Sequence, residues 1–268
     1  KKRLARLRSG EPLAYILGHK EFYGLNFLVN RYTLIPRPET EQLVEEAMSR
    51  LTTSEERATI IDVGTGSGCI AITIAKQLKK ICHSRAGEDP VATNGKLDSL
   101  PLRCAPAGND NVKIYAIDIS KRALTTAKQN AEQNGVADKI EFINGNLLKP
   151  FFDSKLIQPA FRQAGIQNSK LHILANLPYL TPEQVKHSPT IQREPKSALI
   201  SGHDGLKHYR QLFRQIKKLQ LSNCTILCEI DDTQGATMSA LIKKELPKAK
   251  FEIKKDLGGY DRLAVIEY

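Results

Sequence analysis

The sequence predicts an α/β protein: a mostly parallel, Rossmann-like sheet of seven strands with an antiparallel edge strand, preceded by a β-hairpin. Three observations carry this. An apolar run, Ile60-Ile61-Asp62-Val63, leads into glycines spaced Gly64-x-Gly66-x-Gly68, and Cys69 to Lys76 follows with few breakers; that is strand, tight turn and helix start. Strand-like and helix-like segments then alternate along the chain, as in a parallel sheet covered on both faces. The last two strand-like segments are neighbours that can pair as a hairpin, placing an antiparallel strand at the edge.

Taken in order, Lys1 to Arg8 is basic with leucines at 4 and 7 and reads as the last turns of a helix, ended by Gly10-Glu11-Pro12. The chain opens without methionine, as expected of a segment of a longer protein. Leu13 to Val29 holds two short aromatic and aliphatic runs around Gly24, a β-hairpin. Its aromatics either pack the hairpin onto its neighbour or offer a platform to a base; packing is the preferred reading. Pro36 and Pro38 hold Leu34 to Glu41 extended. Pro38 or Thr40 then introduces a helix from Glu41 to about Leu51, with Leu43, Val44 and Ala47 on one face. Arg37, Glu39 and Glu41 crowd that turn, either as solvated charges or as a clamp over a ligand.

Residues 52–58 form a polar connector before the strand Ile60–Val63 and its helix from 69 to about 80. From 83 to 111 periodicity is lost, and a stretch this long reads as a surface insertion. Val112–Asp118 is a strand; Ser120 caps a helix from about Lys121 to Asn134, closed by Gly135. Lys139–Ile143, Leu171–Ala175, Thr225–Ile230, Phe251–Lys255 and Leu263–Glu267 are the remaining strands. Helices run from Gly205 to about Leu219 and Thr233 to about Leu246, and 150–169 and 181–200 are irregular. There are no internal repeats.

The 268 residues carry a formal net charge of +11, which favours acidic partners without specifying one. No apolar run is long enough to span a membrane and no signal peptide is evident, so a cytoplasmic monomer with no membrane contact is expected. The five cysteines make no C-x-x-C pair and read as free thiols in a reducing compartment. Cys82-His83 with Cys104 fits no standard zinc spacing, and no metal site is expected.

The chemistry gathers at three places. The glycine loop places a nucleotide at the carboxyl end of its strand. Its third glycine comes one residue earlier than in G-x-G-x-x-G; with Asp62 two residues before, it resembles the first motif of S-adenosylmethionine (SAM)-dependent methyltransferases more than that of a dehydrogenase. Asp118, ending the next strand, can accept hydrogen bonds from a ribose diol, or cap a helix. Asn176-Leu177-Pro178-Tyr179 leaves another strand at the same edge. An Asn oxygen and the Leu177 carbonyl can accept both hydrogens of an NH2 group, Pro178 stiffens the turn, and Tyr179 offers a flat face. A turn of this composition is also a plain strand exit. Amide and exocyclic amine nitrogens are poor nucleophiles because their lone pair is delocalised. Alignment and acceptance of their hydrogens favour reaction there.

Taken together the chain resembles the HemK/PrmC family, the peptide chain release factor glutamine methyltransferases. The resemblance lies in Gly10–Gly18 (GEPLAYILG), Phe22-Tyr-Gly24, Leu34–Glu41 (LIPRPETE), Asp62–Gly68, Asn176–Tyr179, Glu194–Leu199 (EPKSAL) and Gly202-His-Asp-Gly205, in order over nearly the whole length. It implies a class I SAM-dependent methyltransferase that methylates the side-chain amide of the glutamine in the Gly-Gly-Gln loop of class I release factors. Carried over by motif, Gly64, Thr65, Gly66, Ser67 and Gly68 would hold the methionine part of SAM and Asp118 the ribose. Asn146 and Leu147 would flank the adenine; Asn176, Leu177, Pro178 and Tyr179 would grip the glutamine. Asn176, Pro178 and Tyr179 would be catalytic, with Asn176 also touching the cofactor. It further implies that residues 1–56 are the end of an N-terminal helical domain, the hairpin and a linker, and that 57–268 form the methyltransferase domain with the insertion at about 83–111.

Three positions depart from the family pattern. Leu177 stands where proline is usual, Asn146 stands where an acid is common, and the insertion is long. Two rivals remain: an adenine-amino methyltransferase of rRNA or DNA, which the same Asn-Leu-Pro-Tyr turn and the basic charge suit, and a glutamine methyltransferase of a ribosomal protein. The Ile35–Glu41 block argues against both. No stable nucleic-acid partner is expected.

Overall fold

The computed structural model describes residues 2–51, 57–85, 112–153, 170–188, 190–221 and 223–268. Most of the expected 83–111 insertion and of the 150–169 connector, with Cys104, lies outside them, as do the side chains of Cys82 and His83.

A two-stranded antiparallel hairpin comes first, β1 (His19–Phe22) and β2 (Leu25–Leu28). Its turn residues Tyr23 and Gly24 both have positive φ, +54° and +72°. That geometry matches the twist of paired strands. The strand part is shorter than the sequence suggests. Leu13–Leu17 is a helical turn, not a strand, and it ends at Gly18 in the left-handed conformation. Phe22 and Phe27 are fully buried and meet edge to face at 6.1 Å. The hairpin's aromatics therefore pack, as preferred.

The main sheet has seven strands: β3 (Ala58–Val63), β4 (Val112–Asp118), β5 (Ile140–Asn144), β6 (Lys170–Ala175), β7 (Cys224–Glu229), β8 (Lys250–Lys255) and β9 (Asp261–Glu267). Their order is β5-β4-β3-β6-β7-β9-β8. The first five run parallel. The expected hairpin forms, and the edge strand β8 pairs antiparallel with β9. The reversed strand itself is β9, which slots between β7 and β8. Every residue of β3 and of β7 is buried, as strands covered on both faces must be.

Alternation along each strand feeds two cores. Ile61, Val63, Ile117 and Ile173 face the helices Lys207–Lys218 and Gly235–Glu245. Ala58, Ile60, Ile114 and Leu174 face the helices Glu41–Leu51 and Cys69–Arg85, with the hairpin phenylalanines behind them. The hairpin is also pinned by polar contacts. The buried Asn130 side chain accepts from Leu28 N at 2.7 Å and donates to the carbonyls of Leu28 and Ser67 at 3.1 and 2.8 Å. One amide thus ties β2 to the loop after β3. Among the described residues no helix is long and apolar enough to cross a membrane.

His172 on β6 is 1% exposed, and its Nδ1 has no hydrogen-bond partner. Burial, helped by Lys170 and Arg50, pushes its pKa down to about 4. The unfolded chain, at about 6.5, takes up the proton first as the pH falls. The stability due to neutral His172 is therefore present above pH 6.5 and lost as the pH falls through 4, about 3 kcal/mol in all. Urea unfolding between pH 7 and 4 should show wild type losing more stability than His172→Gln by about that amount.

Candidate active site

Strand register sets four residues in one row. Val63 lies opposite Ile117 on one side and Ala175 on the other, and Ala175 lies opposite Cys228. The next residues, Gly64, Asp118, Asn176 and Glu229, thus leave four parallel strands at the same level, at the carboxyl edge.

The glycine loop folds over the end of β4. Gly64 N and Thr65 N both donate to the Ile117 carbonyl, at 2.8 and 2.9 Å. Gly66 N donates to Asp118 Oδ2 at 2.9 Å, and Ser120 N to Oδ1 at 2.8 Å. Asp118 therefore braces the loop and the start of the helix Lys121–Gln133, while each oxygen retains acceptor capacity. Gly66 has φ +57°, and a Cβ there would meet nothing nearer than 3.9 Å. The loop opens onto free space at that residue. A Cβ on Gly64 would come within 3.0 Å of Leu177 Cδ2, so the loop and the Asn-Leu-Pro-Tyr turn already touch.

The remaining predicted cofactor contacts differ from one another. Thr65 and Ser67 are buried; the Thr65 hydroxyl donates to Asp62 Oδ2 at 2.6 Å, and the Ser67 hydroxyl engages Cys69. Asn146 is half-buried after β5, at the same edge. Leu147 has φ +55° and a side chain in the core, 7% exposed. Gly68 has φ +84° and lets the helix it starts lie close to Ala127. Beneath the loop, buried Asp62 also accepts from Ala71 N at 3.2 Å, but its Oδ1 has no partner. Burial raises its pKa to about 7.

The second half of the site is held from below. Tyr209 is completely buried; its hydroxyl accepts from Leu177 N at 3.3 Å and donates to the Glu229 main-chain carbonyl. The Tyr179 hydroxyl donates to Glu229 Oε1 at 3.2 Å, and its carbonyl accepts from Gln234 Nε2 at 2.9 Å. Gly205 must be glycine there: its φ is +72°, and a Cβ would fall 2.2 Å from the Tyr179 carbonyl oxygen. Asn176 Nδ2 donates to Thr40 Oγ1 at 2.9 Å, leaving Oδ1 as the end available to a ligand. The Leu177 side chain is buried, so its carbonyl is the group that can face a substrate.

Asn176 to Leu180 line a cavity of about 220 Å³ together with Leu34, Arg37, Ile191, Leu199, Asp231 and Arg262. Arg37 forms an ion pair with the buried Glu194, whose other oxygen accepts from Ile35 N at 3.1 Å. The proline-rich block is thereby bound to the Glu194–Leu199 block. Glu39 stays exposed, and Glu41 accepts from Tyr23 N at 3.0 Å. Sequence reasoning did not assign Thr40, Tyr209, Glu229 or Gln234 to the site. The one local signal was an acid, Glu229, ending an otherwise apolar strand.

A family model described as RMKL-like, methyltransferase domain, matches residues 41–154. The release factor glutamine methyltransferase of Enterococcus faecalis is 34% identical over 266 residues, 98% of this chain and 78% of that protein. The one from Bacillus subtilis is 33% identical over 260 residues, 95% of this chain and 75% of that protein. The chain belongs to the release factor glutamine methyltransferases. A crystal structure of the hMettl16 catalytic domain in complex with MAT2A 3'UTR hairpin 6 superposes with a TM-score of 0.58 at 15% identity, covering 95% of this chain and 79% of that one. At that identity the likeness is one of fold, a class I methyltransferase fold.

As a release factor glutamine methyltransferase the chain uses SAM, and the loop fits it. Gly66 leaves room beside the main chain, Asp118 has acceptor capacity for hydroxyls, and Asp62 Oδ1 is a buried acceptor without a partner. Gly66→Ala tests the fit. Forcing φ +57° on alanine costs about 1–2 kcal/mol, so the melting temperature should fall only a few degrees. The new methyl enters the cofactor's space, and SAM affinity by calorimetry should fall by about tenfold or more.

Proposed function

We propose that this chain transfers the methyl group of SAM to the side-chain amide nitrogen of the glutamine in the Gly-Gly-Gln loop of a class I release factor. Gly64 to Gly68 and Asp118, with Asn146 and Leu147, would hold the donor. The observation that carries the reading is the orientation of Asn176: its NH2 is engaged by Thr40 at 2.9 Å, so the pocket is offered an acceptor oxygen.

SAM supplies an electrophilic methyl group when bound. The residues supply the rest. Asn176 Oδ1 and the Leu177 carbonyl accept the two hydrogens of the substrate amide and so turn its nitrogen toward the donor side. As the nitrogen gains positive charge those acceptors hold it more strongly, which lowers the barrier. Pro178 limits motion of the turn, and the Tyr179 ring, fixed at both its hydroxyl and its carbonyl, packs on the amide plane. The excess proton leaves to solvent afterwards. No group in the pocket needs to act as a strong base.

In this reading residues 1–56 are the end of an N-terminal helical domain, the hairpin and a linker, and 57–268 are the methyltransferase domain with its insertion at about 83–111; the two meet where Arg37 pairs with Glu194 and Thr40 with Asn176. The chain would act as a cytoplasmic monomer that holds no nucleic acid stably. The free thiols Cys69, Cys224 and Cys228 are in keeping with a reducing compartment.

Labelled SAM offered to a release factor, to its loop Gln→Ala variant and to rRNA checks the reading. Label is expected on the first alone; label on rRNA only, or equally on both release factors, would overturn it. Asn176→Ala should lower turnover by about 100-fold or more while SAM affinity changes only a few-fold.

A further inference from the structure

An asparagine amide fits a pocket two ways round. With Oδ1 outward it accepts from an NH2 group; with Nδ2 outward it donates to a carbonyl or carboxylate. Which end faces the glutamine pocket is fixed outside the Asn-Leu-Pro-Tyr turn. Asn176 Nδ2 donates to Thr40 Oγ1, and Thr40 is 1% exposed. The hydroxyl proton of Thr40 needs an acceptor of its own. Glu229, 1% exposed, faces that hydroxyl, and its Oε2 has no partner at full hydrogen-bond geometry. Its other oxygen already accepts from Tyr179.

We propose that Thr40 and Glu229 are positioning residues that set the polarity of the substrate pocket. The Glu229 carboxylate can only accept; Thr40 donates to it and presents lone pairs to Asn176; Asn176 then has Nδ2 bound and Oδ1 turned to the substrate. The same carboxylate holds the Tyr179 ring. One buried acid, on a strand that makes no substrate contact, would thus make the pocket select an NH2 group and reject a carboxylate of the same shape. The inference rests on the glutamine-methylating reading above and names what in this chain enforces it.

The groups that face Glu229 are the Tyr179 and Thr40 hydroxyls, Arg262 on β9, Glu39 beside Thr40, Cys69 and the buried Tyr209. Burial dominates and raises its pKa to about 7, with the two hydroxyls and Arg262 pulling the other way. Once protonated, Glu229 can donate to Thr40, and the hydroxyl no longer has to present lone pairs to Asn176. The polarity is enforced on the alkaline side of that pKa.

Thr40→Val removes the hydroxyl at nearly constant shape, and Thr40→Ser keeps it. Two measurements on the full chain separate the possibilities. The first is hydrogen exchange of the Asn176 side-chain amide by NMR. Exchange should be slow in wild type and Thr40→Ser and about tenfold or more faster in Thr40→Val. The second is methylation of the release factor, with its loop Gln→Glu variant as competitor. Thr40→Val should lose about 10- to 100-fold in kcat with SAM affinity within about twofold, and should be inhibited by the Gln→Glu protein more than wild type is; Thr40→Ser should behave as wild type. Glu229→Gln should flatten a wild-type rise in kcat through about pH 7. Equal amide exchange in wild type and Thr40→Val, or Thr40→Ser as impaired as Thr40→Val, would overturn the proposal. If wild type left the release factor unlabelled, the functional reading would fall, and the exchange comparison would still decide the relay.

Discussion

The site depends on the parallel register of β4, β3, β6 and β7. Because Val63 lies level with both Ile117 and Ala175, and Ala175 with Cys228, the residues that follow emerge in one row. A parallel ladder has uniform direction, so all its carboxyl ends fall on one edge and the connections leave from there. A slip of one residue would send every side chain of the slipped strand to the opposite face. It would separate Gly64 from the Leu177 side chain packed against it, and Asp118 from Gly66 N, now 2.9 Å apart. The buried strands on both sides of the row make such a slip costly, since Ile61, Val63 and Ile173 all sit at zero exposure.

On that row, at Glu229, and beneath it, at Asp62, sit two acids that a fold selected only for stability would avoid. Asp62 and Glu229 are both fully enclosed, each with one oxygen lacking a partner, and burial raises the pKa of each to about 7. A carboxyl whose folded pKa is raised contributes its stability at low pH and loses it as the pH climbs through the folded value. Near neutrality both therefore weigh against folding, opposite in sign to His172. They persist where they organise polar groups: Asp62 holds Thr65 and Ala71 N under the glycine loop, and Glu229 holds Tyr179 under the substrate pocket. Unfavourable burial concentrated at a site is the usual mark of function.

How much of this was legible in the sequence follows from the range of each interaction. The glycine loop, Asp118 and Asn176–Tyr179 could be read because each is a local pattern attached to a strand end, and Ser120 capping Ala123 N is local too. Leu13–Leu17 was misassigned because five apolar and aromatic residues carry no period of their own, and the helix is decided by Pro12 before it and Gly18 after it. The inward hydroxyls of Thr65 and Ser67 could not be seen, since the motif fixes the loop's backbone and leaves side-chain direction to the packing. Tyr209, Thr40 and Glu229 hold partners 20 to 136 positions away, and an isolated tyrosine, threonine or glutamate carries no sign of such a partner. Arg37 was ambiguous for the same reason: a charge on a rigid turn looks solvated until Glu194, 157 residues later, is placed against it.

The Asn-Leu-Pro-Tyr turn alone does not separate a glutamine from an adenine. Both present an NH2 on a flat, conjugated group, and two acceptors with an aromatic face suit either. The difference has to come from the rest of the pocket. A flipped adenine needs a broad slot with donors and acceptors along its ring edge. Here the turn shares its cavity with Leu34, Ile191 and Leu199 as well as with Arg37, and Arg37 and Ile35 N both hold Glu194. The three aliphatic side chains suit the two methylenes of a glutamine side chain. The proline-rich block thus has two physical duties. Its Arg37 ties the Glu194 segment to the pocket it lines, and in the proposed relay its Thr40 turns Asn176 so that the pocket is offered an acceptor oxygen. A chain lacking that block would keep the turn and lose both, which is why the block, more than the turn, marks the substrate.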